Sequence, residues 1–130
     1  MGRHPFRLGA LALILVLVAG CVVQSTPPQS TSNQITMGAT TFDRASLAMK
    51  QGEQITFVNE KATGTLHILV IGTQGAAKAE VGAADFKGST GITFQPGESW
   101  TSPAWETPGT YHVTCTVHPT TMSLTITVTA

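Results

Sequence analysis

The clearest alternation in the chain lies at its carboxyl-terminal end. Met122, Leu124, Ile126 and Val128 are apolar, and Ser123, Thr125, Thr127 and Thr129 between them are polar. A period of two belongs to a half-buried strand, so the first set faces a core. Upstream, Tyr111, Val113 and Cys115 alternate with His112 and Thr114, which predicts a second strand with its thiol on the buried side. Ile55, Phe57 and Val58 mark a third, and Ile35 and Met37 share one phase in a first strand within residues 34–41. Phe42, Leu47 and Met49 follow around a bend at Asp43-Arg44, and Lys50-Gln51-Gly52 reads as a turn. Leu66 to Ile71 is an apolar run too short for a helix, so it predicts a buried strand with His67 in phase with Leu69 and Ile71. Ile92 to Phe94 and Ser99 to Thr101 flank Gln95-Pro96-Gly97-Glu98, a type II turn signal, and Pro108-Gly109 marks another turn. Trp100 and Trp105 should supply bulky packing. Residues 72–91, rich in Ala and Gly, suggest a short helix from Ala76 to Phe86 interrupted by Gly82. Many short strands with turn signals predict an all-β fold, an antiparallel β-sandwich with Greek-key connections.

The amino terminus has a different pattern. Arg3 and Arg7 precede an apolar run from Leu8 to Gly20, 13 residues long. A spanning helix needs about 20 apolar residues, so residues 1–20 read as an export signal. The run ends Leu17-Val18-Ala19-Gly20-Cys21, which resembles a bacterial lipobox. On that resemblance the chain is cut before Cys21, whose sulfur carries a diacylglyceryl group and anchors the protein to the outer side of the bacterial cell membrane. An ordinary secretory signal with a chance Cys is the alternative; the small residues just before Cys21 favour lipidation. Residues 21–33, polar and bearing Pro27-Pro28, form a tether with nothing to bury. Residues 34–130 form one domain.

Composition changes the picture in two ways. Seven basic residues balance seven acidic ones over 130 residues, so there is no basic footprint for nucleic acid. Without residues 1–20 five basic residues face seven acidic, a net charge of −2. There are only two Cys, and export places them where disulfides form. If Cys21 is acylated it cannot pair with Cys115, and a lone exported thiol then calls for another explanation.

Metal ligation supplies one. Cys115 and His118 are separated by two residues, and three residues lie between that His and Met122. Thiolate, imidazole and thioether suit copper that must visit both oxidation states. The second imidazole can come only from His67, because His4 leaves with the leader and His112 is out of phase with Cys115. Each residue also has a plainer reading. Cys115 could be a small buried hydrophobe, His67 a core His with a satisfied hydrogen bond, and His118 a surface residue. Met122 is either a weak axial ligand or a core methionine. His112 is expected to face solvent.

Gly52 to Asn59, His67, Pro108 to Tyr111, Cys115-Thr116-Val117-His118-Pro119 and Met122 together resemble a cupredoxin of the plastocyanin/amicyanin group. The resemblance covers residues 35–130. It implies a cupredoxin-like sandwich holding one copper ion, Cu(I) or Cu(II), on His67, Cys115, His118 and Met122, with Asn59 tying the two ligand loops together; a turn-forming role explains Asn59 equally well. Three features depart from the group. Amicyanins leave two residues between this His and Met and plastocyanins four, whereas Pro119-Thr120-Thr121 make three here. The Gly usual soon after that Met is replaced by Ser123-Leu124. Thr114 also stands where plastocyanins carry an aromatic beside the Cys, so a second electron route there is in doubt.

The resemblance implies a membrane-tethered, monomeric one-electron carrier that docks redox partner proteins near His118. The alternative is a copper-binding protein for delivery, buffering or sensing. No open coordination position lies beside an acid or base, so no enzyme is expected. A structural sandwich with a vestigial site, and more remotely a Cys-His hydrolase, complete the range.

Overall fold

The computed structural model describes residues 33–62 and 65–130. The expected leader, Cys21 and all of the tether but Asn33 lie outside the described residues. Nine strands are present among those described: β1 (Gln34–Met37), β2 (Ser46–Lys50), β3 (Thr56–Asn59), β4 (His67–Thr73), β5 (Ala76–Ala77), β6 (Ile92–Phe94), β7 (Ser99–Thr101), β8 (Gly109–Cys115) and β9 (Ser123–Thr129). They form a three-stranded sheet in the order β1-β3-β7 and a six-stranded one in the order β2-β9-β8-β4-β5, with β6 also paired to β4. The alternation read from the sequence becomes the wall of a sandwich. Leu124, Ile126 and Val128 of β9 are buried, as are Tyr111, Val113 and Cys115 of β8.

The sandwich is mixed rather than wholly antiparallel. β1 runs parallel to β3 from Gln34↔Thr56 to Met37↔Asn59, and β2 runs parallel to β9 from Ser46↔Thr125 to Lys50↔Thr129. The reason lies in the connections. After β1 the chain crosses to the large sheet for β2 and returns for β3, and such a crossover lets two strands of one sheet run the same way. Alternation of side chains is identical in the two pairings, so the sequence pattern does not separate them.

The turn expected at Gln95–Glu98 also carries the chain between sheets, from β6 to β7. The N–H of Glu98 donates to the carbonyl of Gln95 (3.1 Å), and Gly97 takes the positive φ of 86° that a type II turn requires at its third position. Trp105 sits fully buried, and its Nε1–H donates to Ser102 Oγ (3.1 Å). That hydroxyl also accepts the N–H of Ile55 (3.1 Å) and donates to the carbonyl of Pro103 (2.8 Å), so the polar atoms beneath the indole are paired.

The helix suggested for Ala76 to Phe86 does not form. Ala76 and Ala77 pair with Thr73 and Gly72 of β4 instead. Farther on, Glu80 accepts both the backbone N–H of His112 (2.7 Å) and its Nδ1–H (2.8 Å). His112 is therefore on the outer side as expected, yet half-buried and partnered. Phe86 is drawn inside, where it meets Phe57 edge-on (5.7 Å, 84°) and Trp100 likewise (5.0 Å, 76°). Tertiary contacts override the helical preference of the alanines.

Trp105 also faces Phe86 (6.1 Å) and Tyr111 (5.2 Å), so it joins the two sides of the core. Trp105→Ala should cost about 3–5 kcal/mol, a large share of the roughly 5–15 kcal/mol typical of a domain. Urea unfolding of the metal-free protein checks this, and a loss below about 1 kcal/mol would contradict it.

Candidate metal centre

Strand register assembles the site before any side chain is considered. Leu69 on β4 lies opposite Cys115 on β8, so His67, two residues earlier on β4, shares that core face and stands just past the end of β8. β8 and β9 are paired through Val113↔Leu124 and Thr114↔Ser123. The next step of that register sets Cys115 opposite Met122, and the N–H of Cys115 does donate to the carbonyl of Met122 (3.2 Å). Residues opposite each other in a ladder share a face, which turns the thiol and the thioether to the same side. His118 returns on the intervening loop.

The outcome is a close group. Nδ1 of His67 and Nδ1 of His118 each lie 3.9 Å from Sγ of Cys115. The three ligand atoms fall within 4.8 Å of one another, and the imidazoles are 5.2 Å apart at 60°. His67, Cys115 and Met122 are each 0% exposed, and His118 is half-exposed.

The outer contacts decide which nitrogen the His67 ring offers. Nε2 of His67 lies 2.9 Å from the carbonyl of Gly38 and 3.1 Å from Thr65 Oγ1. A carbonyl only accepts, so Nε2 carries the proton and Nδ1 presents its lone pair to the thiol. Thr65 Oγ1 in turn donates to the carbonyl of Ala39 (2.7 Å), and Thr121 Oγ1 donates to that of Thr40 (2.5 Å). Three consecutive carbonyls, from Gly38 to Thr40, thus hold both ligand loops. No sequence pattern announces these supports, because every residue type has a carbonyl.

Asn59 plays a narrower part than the resemblance implies. Its Nδ2–H donates to the carbonyl of Thr65 (2.9 Å) and to that of Phe94 (3.4 Å). It ties the loop leading to His67 onto β6, and its Oδ1, though buried, has no hydrogen-bond partner among the described residues. Thr114 is 0% exposed, so it offers no surface for a second electron route. Cys21 lies outside the described residues.

The donor chemistry fits copper. Once deprotonated, Cys115 would add a thiolate to two imidazole nitrogens, and the thioether of Met122, opposite Cys115 in the ladder, would complete a soft set as its weak fourth member. Such a centre at one end of an all-β sandwich defines a cupredoxin-type, single-copper protein. The family described as copper binding proteins, plastocyanin/azurin family, matches residues 29–129, and the chain belongs to it. Solved structures agree in fold. Amicyanin from Paracoccus versutus (Thiobacillus versutus) is 18% identical, with 81% of this chain and 86% of that one covered and a TM-score of 0.58. An oxidized proline-to-glycine mutant of amicyanin is 16% identical over 80% and 88%, with a TM-score of 0.59. A reduced proline-to-phenylalanine mutant is 18% identical over 77% and 84%, with a TM-score of 0.51. The arrangement of His67, Cys115, His118 and Met122 is consistent with a single type 1 copper site.

Burial holds the pKa of His67 below the ordinary 6.5; the Gly38 carbonyl opposes this, and nearby His118 adds to it. Between the ordinary and the depressed value the unfolded chain binds more protons at this residue than the folded one does. Its contribution should therefore be flat above about pH 6.5 and turn against folding as pH drops, levelling only beneath the depressed value. Urea midpoints of the metal-free protein from about pH 8 to about pH 5 should fall, and His67→Asn should flatten the fall. An equal fall in the variant would place the titrating group elsewhere.

Proposed function

We propose that the protein is an exported, lipid-anchored one-electron carrier. One copper ion would be held by Nδ1 of His67, Sγ of Cys115 and Nδ1 of His118, with the thioether of Met122 as a weaker fourth donor. The observation that carries this is the pair of Nδ1···Sγ distances, 3.9 Å each, one of them joining residues 48 apart in sequence. When bound, copper supplies the one-electron chemistry by alternating between Cu(I) and Cu(II).

The chain's own residues explain why that exchange would be fast. The carbonyls of Gly38, Ala39 and Thr40 hold the ligand loops in one arrangement, so little has to move between the two states. Burial of His67, Cys115 and Met122 keeps water from three of the four ligands. The half-exposed edge of His118 is then the exit for the electron. Leu66 and Val117, neighbours of His67 and His118 in sequence, are 40% and 42% exposed and give this end an apolar rim for a redox partner protein. The small net charge left after leader removal makes electrostatic steering weak. Attachment through Cys21 would leave the domain on a tether (residues 22–33) reaching at most about 40 Å.

Adding Cu(II) to the purified protein should produce an intense blue colour with one ion per chain, lost in Cys115→Ser. A colourless mixture contradicts the proposal. Reversible reduction by a partner protein with copper retained supports the carrier, whereas release of the ion to a partner without cycling supports copper handling instead. Labelling cells with a radioactive fatty acid should mark the protein, and Cys21→Ser should abolish the label and free the protein from the membrane.

A further inference from the structure

Thr114 is out of place for its position. It alternates with Cys115, so its side chain leaves the core face of the large sheet, where a polar residue would meet solvent. Instead it is completely buried, because the tip of the β4–β5 hairpin covers it. Gln74 and Gly75, the two residues of that tip, both have positive φ (53° and 74°), as a tight two-residue hairpin requires. The N–H of Gly75 donates to Thr114 Oγ1 (2.9 Å), and the hydroxyl donates onward to the carbonyl of Met122 (3.2 Å). That carbonyl also accepts the N–H of Cys115 (3.2 Å), while the N–H of Met122 donates to the carbonyl of His118 (3.1 Å).

The same hairpin tip touches the ligand loop a second time. A Cβ on Gly75 would lie 2.4 Å from Cβ of Pro119 and 3.4 Å from the carbonyl oxygen of Cys115. Only a glycine lets the tip come this close to the residue that comes after His118. The hairpin therefore grips the loop from outside at Pro119 and from beneath at Thr114.

We infer that Thr114 is a positioning residue for the metal centre: its hydroxyl, fixed by Gly75, sets the backbone of Met122 opposite Cys115 and with it the reach of the thioether. The inference rests on the carrier reading, in which Met122 is the fourth donor. Without the hydroxyl, the Met122 carbonyl keeps only the Cys115 N–H, and the Gly75 N–H loses its acceptor. A looser thioether donates less to the metal, which favours the reduced ion and raises the potential.

The test compares Thr114→Val, which keeps the shape and removes the hydroxyl, with Thr114→Ser, which keeps the hydroxyl. In the metal-free protein, Thr114→Val should speed hydrogen exchange at the Gly75 and Cys115 amides about tenfold, as expected for one lost hydrogen bond, and Thr114→Ser should restore protection. In the copper-loaded protein, Thr114→Val should raise the reduction potential and change the intensity ratio of the visible bands, again with recovery in Thr114→Ser. Unchanged exchange together with an unchanged potential overturns the inference. So does a shift that Thr114→Ser fails to reverse, because packing rather than the hydroxyl would then be responsible. If the valine protein does not fold, Thr114→Ala removes the same hydroxyl without added bulk and is read in the same way. A wild-type protein that takes up no copper sinks the carrier reading, while the exchange comparison still decides whether Thr114 holds the loop.

Discussion

The hydrogen bond from Nε2 of His67 to the carbonyl of Gly38 governs the metal centre. A neutral imidazole has one lone pair and one N–H, and this bond assigns the N–H to the far side of the ring. Nδ1 is then left to face Cys115 across 3.9 Å. Were Nε2 to lose both this carbonyl and Thr65 Oγ1, its N–H would be unpaired in a place water does not reach, at a cost of about 1–3 kcal/mol. The ring would also be free to turn its N–H toward the sulfur. Ligand geometry here is therefore a consequence of backbone position in the segment after β1.

That backbone position depends in turn on the mixed sandwich. β1 belongs to the small sheet and β4 to the large one, so the carbonyl and the imidazole it holds arrive from opposite layers. Parallel pairing of β1 with β3 brings Met37 level with Asn59. The N–H of Glu60 then donates to the carbonyl of Met37 (3.1 Å), directly before Gly38. Asn59 meanwhile fixes Thr65, two residues short of His67. The small sheet thus sets the carbonyl through β1 and also steadies, through Asn59 at the end of β3, the loop that leads to the imidazole on β4.

Legibility in the sequence tracks how local each signal is. The alternation from Met122 to Val128 needs no partner to be visible, and the short spacing from Cys115 to His118 makes their proximity nearly covalent. His67 is recognisable only by chemistry, since a copper set lacking a second imidazole is incomplete. The parallel pairings are hidden because both ladder types have a period of two. Ala76 to Phe86 misleads because alanine favours helix wherever nothing else competes, and here β4 and the core compete. Thr114 looks like an ordinary outward polar residue, and no neighbour in sequence reveals the hairpin above it. Gly38, Ala39 and Thr40 act through atoms that all residues share, so no pattern of side chains could mark them.

Packing also bears on whether electrons or ions are the cargo. The proposed exit for an electron, the half-exposed ring of His118, requires no contact to break. Three of the four proposed ligands are wholly buried, so bringing them within reach of a competing donor means opening the loop between Cys115 and Met122. That loop is held by the Thr121 hydroxyl on Thr40 and by Met122 on His118, Thr114 and Cys115. Several of these bonds must break together before a ligand can swing out, and each is worth about 0.5–1.5 kcal/mol. Rapid handover of copper favours a site whose ligands are mobile and reachable by a competing donor. A centre braced from both layers, with one imidazole edge at the surface, suits a resident ion and a passing electron.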